Sequence, residues 1–266
     1  MQSFIFGAMI GDIVGSRFEF DNIKSKNFNL FHDNCSFTDD SVMTLAISYA
    51  LIEASKDWSD LSEQAVQAMQ KFGQAFENRG YGGRFYDWLY SESPKPYHSF
   101  GNGAAMRVSP VAFAAKTLDE VKALSKAVTE VTHNHPEGLK AAEAVAVAIF
   151  LLRNKTPIDE VKRYICKHYY TIDFTLDEIR ECNTFDETCQ ISVPQAFEAF
   201  FEATSFEDAI RNAISIGGDS DTIAAIAASM AHVAFGIPEY IQDKAQDYLL
   251  EPFFLIQKKF YEIFLT

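Results

Sequence analysis

The sequence predicts an all-α fold, and three observations carry that prediction. Apolar residues recur at a period of 3.6 through most of the 266-residue chain. Period-2 runs bounded by turn residues are nearly absent, so no alternation of strands and helices emerges. Two segments, Leu139 to Leu152 and Ile223 to Phe235, are apolar nearly all round, as helices at the centre of a helical core must be.

The elements follow in order. Val42 to Glu53 places Val42, Leu45, Ala46, Tyr49 and Ile52 on one face. Leu61 to Glu77 does the same with Leu61, Ala65, Ala68, Phe72 and Phe76. Val121 to Val131 precedes the first of the two apolar helices. Ile158 to Tyr169, Gln195 to Phe201 and Phe206 to Ile214 lead to the second. Tyr240 to Leu250 and Phe253 to Phe264 close the chain. Neither an internal repeat nor a low-complexity linker divides it, so residues 1–266 read as one domain.

Composition narrows the function. The chain is 48% hydrophobic, with 24 Phe, which supports a large core. Its formal charge of −14 disfavours general nucleic-acid binding, which needs a basic patch. Asp12 interrupts the opening apolar run too early for a secretory signal, and no basic residue precedes it. The longest apolar stretch, Ala141 to Leu152, contains Glu143 and is too short to span a bilayer. Cys35, Cys166, Cys182 and Cys189 show no framework spacing, so they read as free thiols in the cytoplasm.

Five polar clusters stand out, most of them at helix starts. Thr38-Asp39-Asp40-Ser41 precedes the helix at Val42, and Gly217-Gly218-Asp219-Ser220-Asp221-Thr222 precedes the helix at Ile223. Each could simply cap its helix. Two carboxylates beside an apolar helix, however, repel unless a cation or proton intervenes. Hard oxygen ligands of this kind suit magnesium or manganese rather than zinc, and two such clusters together would serve two ions. The paired glycines would let the backbone turn tightly into that site. Glu19 lies between Phe18 and Phe20, either as a surface acid or as an acid held in an apolar clamp. Gly101-Asn102-Gly103 opens a small-residue helix, as a turn or as a source of backbone N–H groups for phosphate. Thr132-His133-Asn134-His135 offers a His-x-His pair for zinc, or a polar loop that caps the next helix with one His toward an anion.

Taken together, these pieces resemble the ADP-ribosylglycohydrolase family, which includes the dinitrogenase reductase-activating glycohydrolases. The matching runs, in family order, are GDIVGSRFEF, FTDDSVM, RGYGGRF, SFGNGAAMRVSP, THNHPEG and GGDSDTIAA. The resemblance implies an orthogonal all-α domain with a binuclear cleft for two Mg2+, with Mn2+ as a substitute. It places metal ligands at Thr38, Asp39, Asp40, Asp219, Asp221 and Thr222, and the mechanistic acid at Glu19. The chemistry would then rest on Glu19, Asp39 and Asp221. Gly80, Tyr81 and Gly82 match a cleft-lining loop. Ser99, Phe100, Gly101, Asn102 and Gly103 match the segment holding the pyrophosphate and adenosine side of ADP-ribose, and His133 matches a ligand-touching position.

The implied activity is hydrolysis of the bond between ADP-ribose and a modified protein side chain, by a monomer without membrane contact. The RGYG run looks like the branch acting on serine, and THNHPEG like the branch acting on arginine; arginine is favoured. Nucleic-acid-linked ADP-ribose stays open as a substrate. The competing functions are a silent ADP-ribose-binding module and a hydrolase of a small conjugate such as O-acetyl-ADP-ribose.

Overall fold

The computed structural model describes residues 6–266. Residues 1–5, where the reading of a missing secretory signal begins, lie outside them. Among the described residues there is no strand, only an isolated antiparallel bridge between Gly101 and Thr188. The fold opens with α1 (Gly7–Gly15) and a 3-10 turn (Ser16–Phe18). A long loop leads to α2 (Asp39–Glu53), α3 (Leu61–Ala75) and α4 (Gly83–Leu89). Two short helices, α5 (Gly103–Met106) and α6 (Ser109–Ala114), precede α7 (Leu118–Thr129), α8 (Pro136–Arg153), α9 (Ile158–His168) and the single turn α10 (Leu176–Ile179). The chain ends with α11 (Cys189–Phe201), α12 (Phe206–Ser215), α13 (Ser220–Phe235), α14 (Glu239–Gln246) and α15 (Glu251–Phe264).

Helix α13 is the hub and packs against α1, α8, α11 and α12. Its first three turns are buried on every side, and α8 is buried along most of its length, as their apolar sequences predict. The tightest pairing is α1 on α13. Gly7, Gly11 and Gly15 lie four residues apart on one face of α1. A Cβ at Gly7 or Gly11 would stand 2.3 Å from the carbonyl oxygen of Ala228 or Ala224, and one at Gly15 would stand 2.5 Å from Asp221 Cα. The two backbones therefore touch, which no larger residue allows.

The sequence places most helices correctly and misses the smallest. Helix α1 escapes because its face toward α13 carries glycine rather than large apolar residues, so it has no hydrophobic stripe to read. Helix α11 begins at Cys189, six residues before the expected start, and carries Pro194 inside it. The carbonyl that proline leaves without a donor belongs to Gln190, which is exposed to water. Helix α14 stops at Gln246 rather than Leu250. All four cysteines are free, Cys35 and Cys189 buried and Cys166 and Cys182 exposed. No helix among the described residues is long and apolar enough to cross a membrane.

Candidate active site

The two Asp-rich helix starts meet. Asp39 and Asp40 open α2, Asp219 caps α13 and Asp221 lies in its first turn. The Thr222 hydroxyl donates to Asp40 Oδ2 at 3.2 Å, across 182 residues of chain. Gly217 and Gly218 adopt φ of 65° and 82°, the left-handed turn that brings the α13 start round to this point. Asn22 fastens that turn to the segment carrying Glu19: its Nδ2 donates to the carbonyls of Phe18 (2.6 Å) and Gly218 (2.9 Å), and its Oδ1 accepts from Gly218 N (2.8 Å).

These carboxylates form two tight groups. Asp12, Asp40 and Asp221 have ligand oxygens within 4.8 Å of one another, and so do Glu19, Asp219 and Asp221. Burial first, and then mutual repulsion, hold Asp39, Asp40 and Asp221 well above the usual carboxylate range. Burial also raises Asp219, against hydrogen bonds from Asp221, Asn102 and Thr222 that lower it. Burial raises Glu19 to about 7, with Asp219 and Asp12 adding to the effect. Like charges about 4 Å apart repel by roughly 4 kcal/mol at an effective dielectric near 20. A helix cap contributes about 1 kcal/mol. Capping therefore does not explain the accumulation, whereas a divalent cation would. Asp40 Oδ1 supplies an independent test: it is fully buried and has no hydrogen-bond partner. An orphaned anionic oxygen among other carboxylates fits a hard cation.

Asp12 is a member of the first group that the sequence reading does not include. Its Oδ1 accepts from the Thr38 hydroxyl at 2.6 Å, and its Oδ2 accepts from Thr38 N (2.9 Å), Ser41 N (3.1 Å) and the Ser41 hydroxyl. Four donors fill the lone pairs of one carboxylate. Asp12 thus anchors the Thr38–Ser41 turn to α1 and has little capacity left for a metal. Asp39, expected as a ligand, lies outside both groups and lines the cleft beside Gly80, whose φ is 91°.

The acidic wall is one side of a cleft of about 310 Å³. The other side contains Arg84, Phe100, Gly101, Asn102, Gly103, Arg107 and His133. Ser99, Gly80 and Gly82 also line it. Tyr81 does not; its ring packs on Phe85 at 5.8 Å. The Gly101–Gly103 segment is less free than a phosphate loop should be. Gly101 N donates to Ser99 Oγ (3.2 Å) and Asn102 N to Glu187 O (2.8 Å), while Asn102 Nδ2 donates to Asp219 Oδ2 (2.7 Å). Asn102 therefore ties this wall to the acidic one.

The two-phenylalanine clamp expected around Glu19 is half present. Phe18 is buried against Phe28, but Phe20 is 84% exposed and stacks on Phe185 at the cleft mouth. The His-x-His zinc reading fails, because the histidines are used separately. His135 Nδ1 caps α8 by accepting from Glu137 N at 3.1 Å, and His133 is buried in the cleft wall. Arg84, Arg107, Phe185 and Glu187 line the cleft without having been singled out from the sequence. Arg107 carried a signal, as a charge inside the small-residue run SFGNGAAMRVSP. Phe185 and Glu187 carried none, since only the bridge to Gly101 brings them there.

Comparison with known proteins identifies the family and the fold. A family model described as ADP-ribosylglycohydrolase matches residues 2–259. An uncharacterized protein of Archaeoglobus fulgidus is 30% identical over 154 residues, 52% of this chain and half of that protein's length. ADP-ribosylhydrolase ARH3 of Xenopus tropicalis is 24% identical, with 87% of this chain and 86% of ARH3 aligned. ADP-ribosylarginine hydrolase Tri1 of Pseudomonas putida is 23% identical, over 91% of this chain and 73% of Tri1. A solved structure titled ADP-ribosylglycohydrolase-related protein complex superposes with a TM-score of 0.70 at 19% identity, covering 97% of this chain and 95% of its own.

Proposed function

The chain belongs to the ADP-ribosylglycohydrolase family, and from that premise we propose that it hydrolyses the glycosidic bond between ADP-ribose and a modified arginine side chain, with serine as the second choice. One observation carries the reading: a single cleft joins a wall of buried carboxylates to a wall holding Arg84, Arg107 and His133. ADP-ribose has the matching polarity, with a diphosphate at one end and a ribose carbon that turns cationic during cleavage at the other.

Thr38, Asp39, Asp40, Asp219, Asp221 and Thr222 would hold two divalent cations, with Asp12 aligning the first three. When bound, magnesium or manganese supplies Lewis acidity toward oxygen. Glu19, raised to about 7, is poised to take a proton from water near neutral pH. The dense carboxylates around it favour positive charge developing at the ribose carbon. Gly103 and His133 face the phosphates, and Phe100 offers a half-exposed ring to adenine. Arginine is preferred because Tri1, aligned over most of this chain, is named for that linkage. We place the enzyme in the cytoplasm as a one-domain monomer.

The test is incubation with arginine-, serine- and nucleic-acid-linked ADP-ribose, with and without a chelator, reading free ADP-ribose. Release from the arginine conjugate that stops with chelator is expected. Release from none of the three, with magnesium or manganese present, would overturn the reading.

A further inference from the structure

We propose that Arg107 and Thr132 act as a relay that fixes His133 with its ring proton on Nε2, so that the imidazole presents a neutral N–H donor to the phosphate end of the cleft. The proposal deepens the ADP-ribose reading of the same cleft and rests on it for the identity of the anion.

Arg107 is among the largest fully buried side chains, at 1% exposure. No carboxylate pairs with it among the described residues, in a chain that carries 14 surplus negative charges. Burying an unpaired guanidinium is costly. Its Nη2 instead donates to Thr132 Oγ1 at 2.6 Å, and Thr132 Oγ1 lies 2.7 Å from His133 Nδ1.

The direction of that second hydrogen bond decides the tautomer. Thr132 has one hydroxyl proton, and its oxygen already accepts from Arg107. The proton can go to His133 Nδ1 or to the carbonyl of Thr129, 3.4 Å away. The Thr129 carbonyl already accepts from His133 N at 2.9 Å and from Thr132 N at 3.2 Å. A carbonyl oxygen has two lone pairs, and both are in use. The shorter, unoccupied acceptor is Nδ1. With Nδ1 accepting, the ring proton sits on Nε2.

That nitrogen lies against the Gly101–Gly103 segment, and His133 lines the cleft there. A Cβ on Gly103 would lie 3.4 Å from His133 Nε2, and one on Gly101 would lie 3.9 Å from it. Burial, with the positive charges of Arg107 and Arg84 adding to it, holds the imidazole well below its ordinary value, which keeps it neutral. A neutral donor binds an anion without itself having to be desolvated as a charge. Arg107 follows the same GNG-containing run that lies beside His133 Nε2, so one segment sets both the loop and the tautomer.

The experiment is nitrogen-15 NMR of the histidine rings in the full chain, with His133 assigned by loss of its signals in His133→Gln. The wild type should show a protonated Nε2 and a bare Nδ1. Thr132→Val removes the hydroxyl at constant shape. It should release the ring into a tautomer mixture and weaken calorimetric ADP-ribose binding by roughly tenfold. Thr132→Ser should restore both, which a purely space-filling role for the threonine methyl would not. A wild-type proton on Nδ1 overturns the relay, and this measurement stands even where Thr132→Val does not fold. A folded Thr132→Val with unchanged tautomer and affinity overturns it as well. A wild type with the Nε2 proton but no ADP-ribose binding would support the relay and sink the ligand assignment instead.

Discussion

The two walls of the cleft solve opposite problems with different materials. The acidic wall concentrates charges of one sign on the ends of two long helices, α2 and α13, with α1 pressed backbone to backbone on α13. Among the described residues, its internal relief comes from the donor set around Asp12 and the contacts from Asn102 and Thr222. The opposite wall is built from loops and short helices, and its positive groups are held by neutral partners: Thr132 for Arg107, and the Tyr97 carbonyl for Arg84. The first wall therefore needs a rigid frame and, under the proposed function, an external cation. The second is held by its own hydrogen-bond network. Changes to the acidic side should accordingly strike chemistry and stability together, and changes to the loop side should strike affinity.

The largest effect expected is on chemistry at the acidic wall. Glu19→Gln keeps shape and hydrogen bonding but removes the proton acceptor. Turnover should fall roughly 10²–10⁴-fold. Affinity for free ADP-ribose should change less than about tenfold, because the opposite wall is intact. Turnover and calorimetry on one preparation, with metal content measured, would separate the two. A variant that loses metal and affinity together would make Glu19 part of the ligand shell.

Next comes the frame. Gly11→Val drives side-chain atoms into the Ala224 carbonyl and must part α1 from α13. Overpacking of this kind costs on the order of 3 kcal/mol. For a chain of this size that is roughly a 6–12 °C drop in Tm. Thermal unfolding followed by circular dichroism measures it. A Tm within a degree of wild type would mean that the helices have room to spare, and the contrast between rigid and adaptable walls would lose its basis.

How legible each wall was in the sequence follows from how it is made. Thr38, Asp39, Asp40, Asp219, Asp221 and Thr222 sit in two short runs at helix starts, where local spacing reports the turn and the gathering of acids. Asp12 did not, because its importance comes from Thr38 and Ser41, more than 25 residues away. The loop wall was legible only in part. Gly101, Gly103 and His133 stood out as punctuation. The commitment of Asn102 to Asp219, and the arrival of Phe185 and Glu187 beside Gly101, are tertiary facts with no local trace. The fold shows the same division: long helices with large apolar stripes were readable, and α1, whose packing face is glycine, was not.

On the loop wall the expected effect is smaller and confined to binding. Gly103→Val adds methyl groups where His133 Nε2 already lies 3.4 Å from the Cβ position. It should weaken ADP-ribose binding by about tenfold, the worth of one hydrogen bond to a charged group. The helical signal should stay unchanged, and Asn29→Ala, remote from the cleft, should bind normally. Equal affinities of the two variants would return the segment to a simple turn.

The smallest effect is the most specific to the acidic wall, and its sign can be worked out. Asp12 is raised from 3.8 to about 6, and Glu19 from 4.5 to about 7. A carboxyl whose folded pKa lies above its unfolded value stabilises the protein by holding its proton. That contribution is complete below about pH 4 and is lost as pH rises through about 6 and then about 7. In chelator, the acidic wall should therefore grow more costly between pH 5.5 and 7.5. Magnesium binds the deprotonated form, so its stabilising effect should grow over the same window. Buried His232, lowered to about 4, loses stability toward acid, but it does so equally with and without the cation and cancels in the difference. Discounting for the partial exposure of Glu19, the gain from magnesium at pH 7.5 should exceed that at pH 5.5 by on the order of 1 kcal/mol. That corresponds to roughly 2–4 °C in Tm. Paired melts in magnesium and in chelator at the two pH values give the number directly. A gain that is flat or falls with pH would mean that the carboxylates relieve one another through shared protons alone, and the two walls would no longer differ in their need for an outside ion.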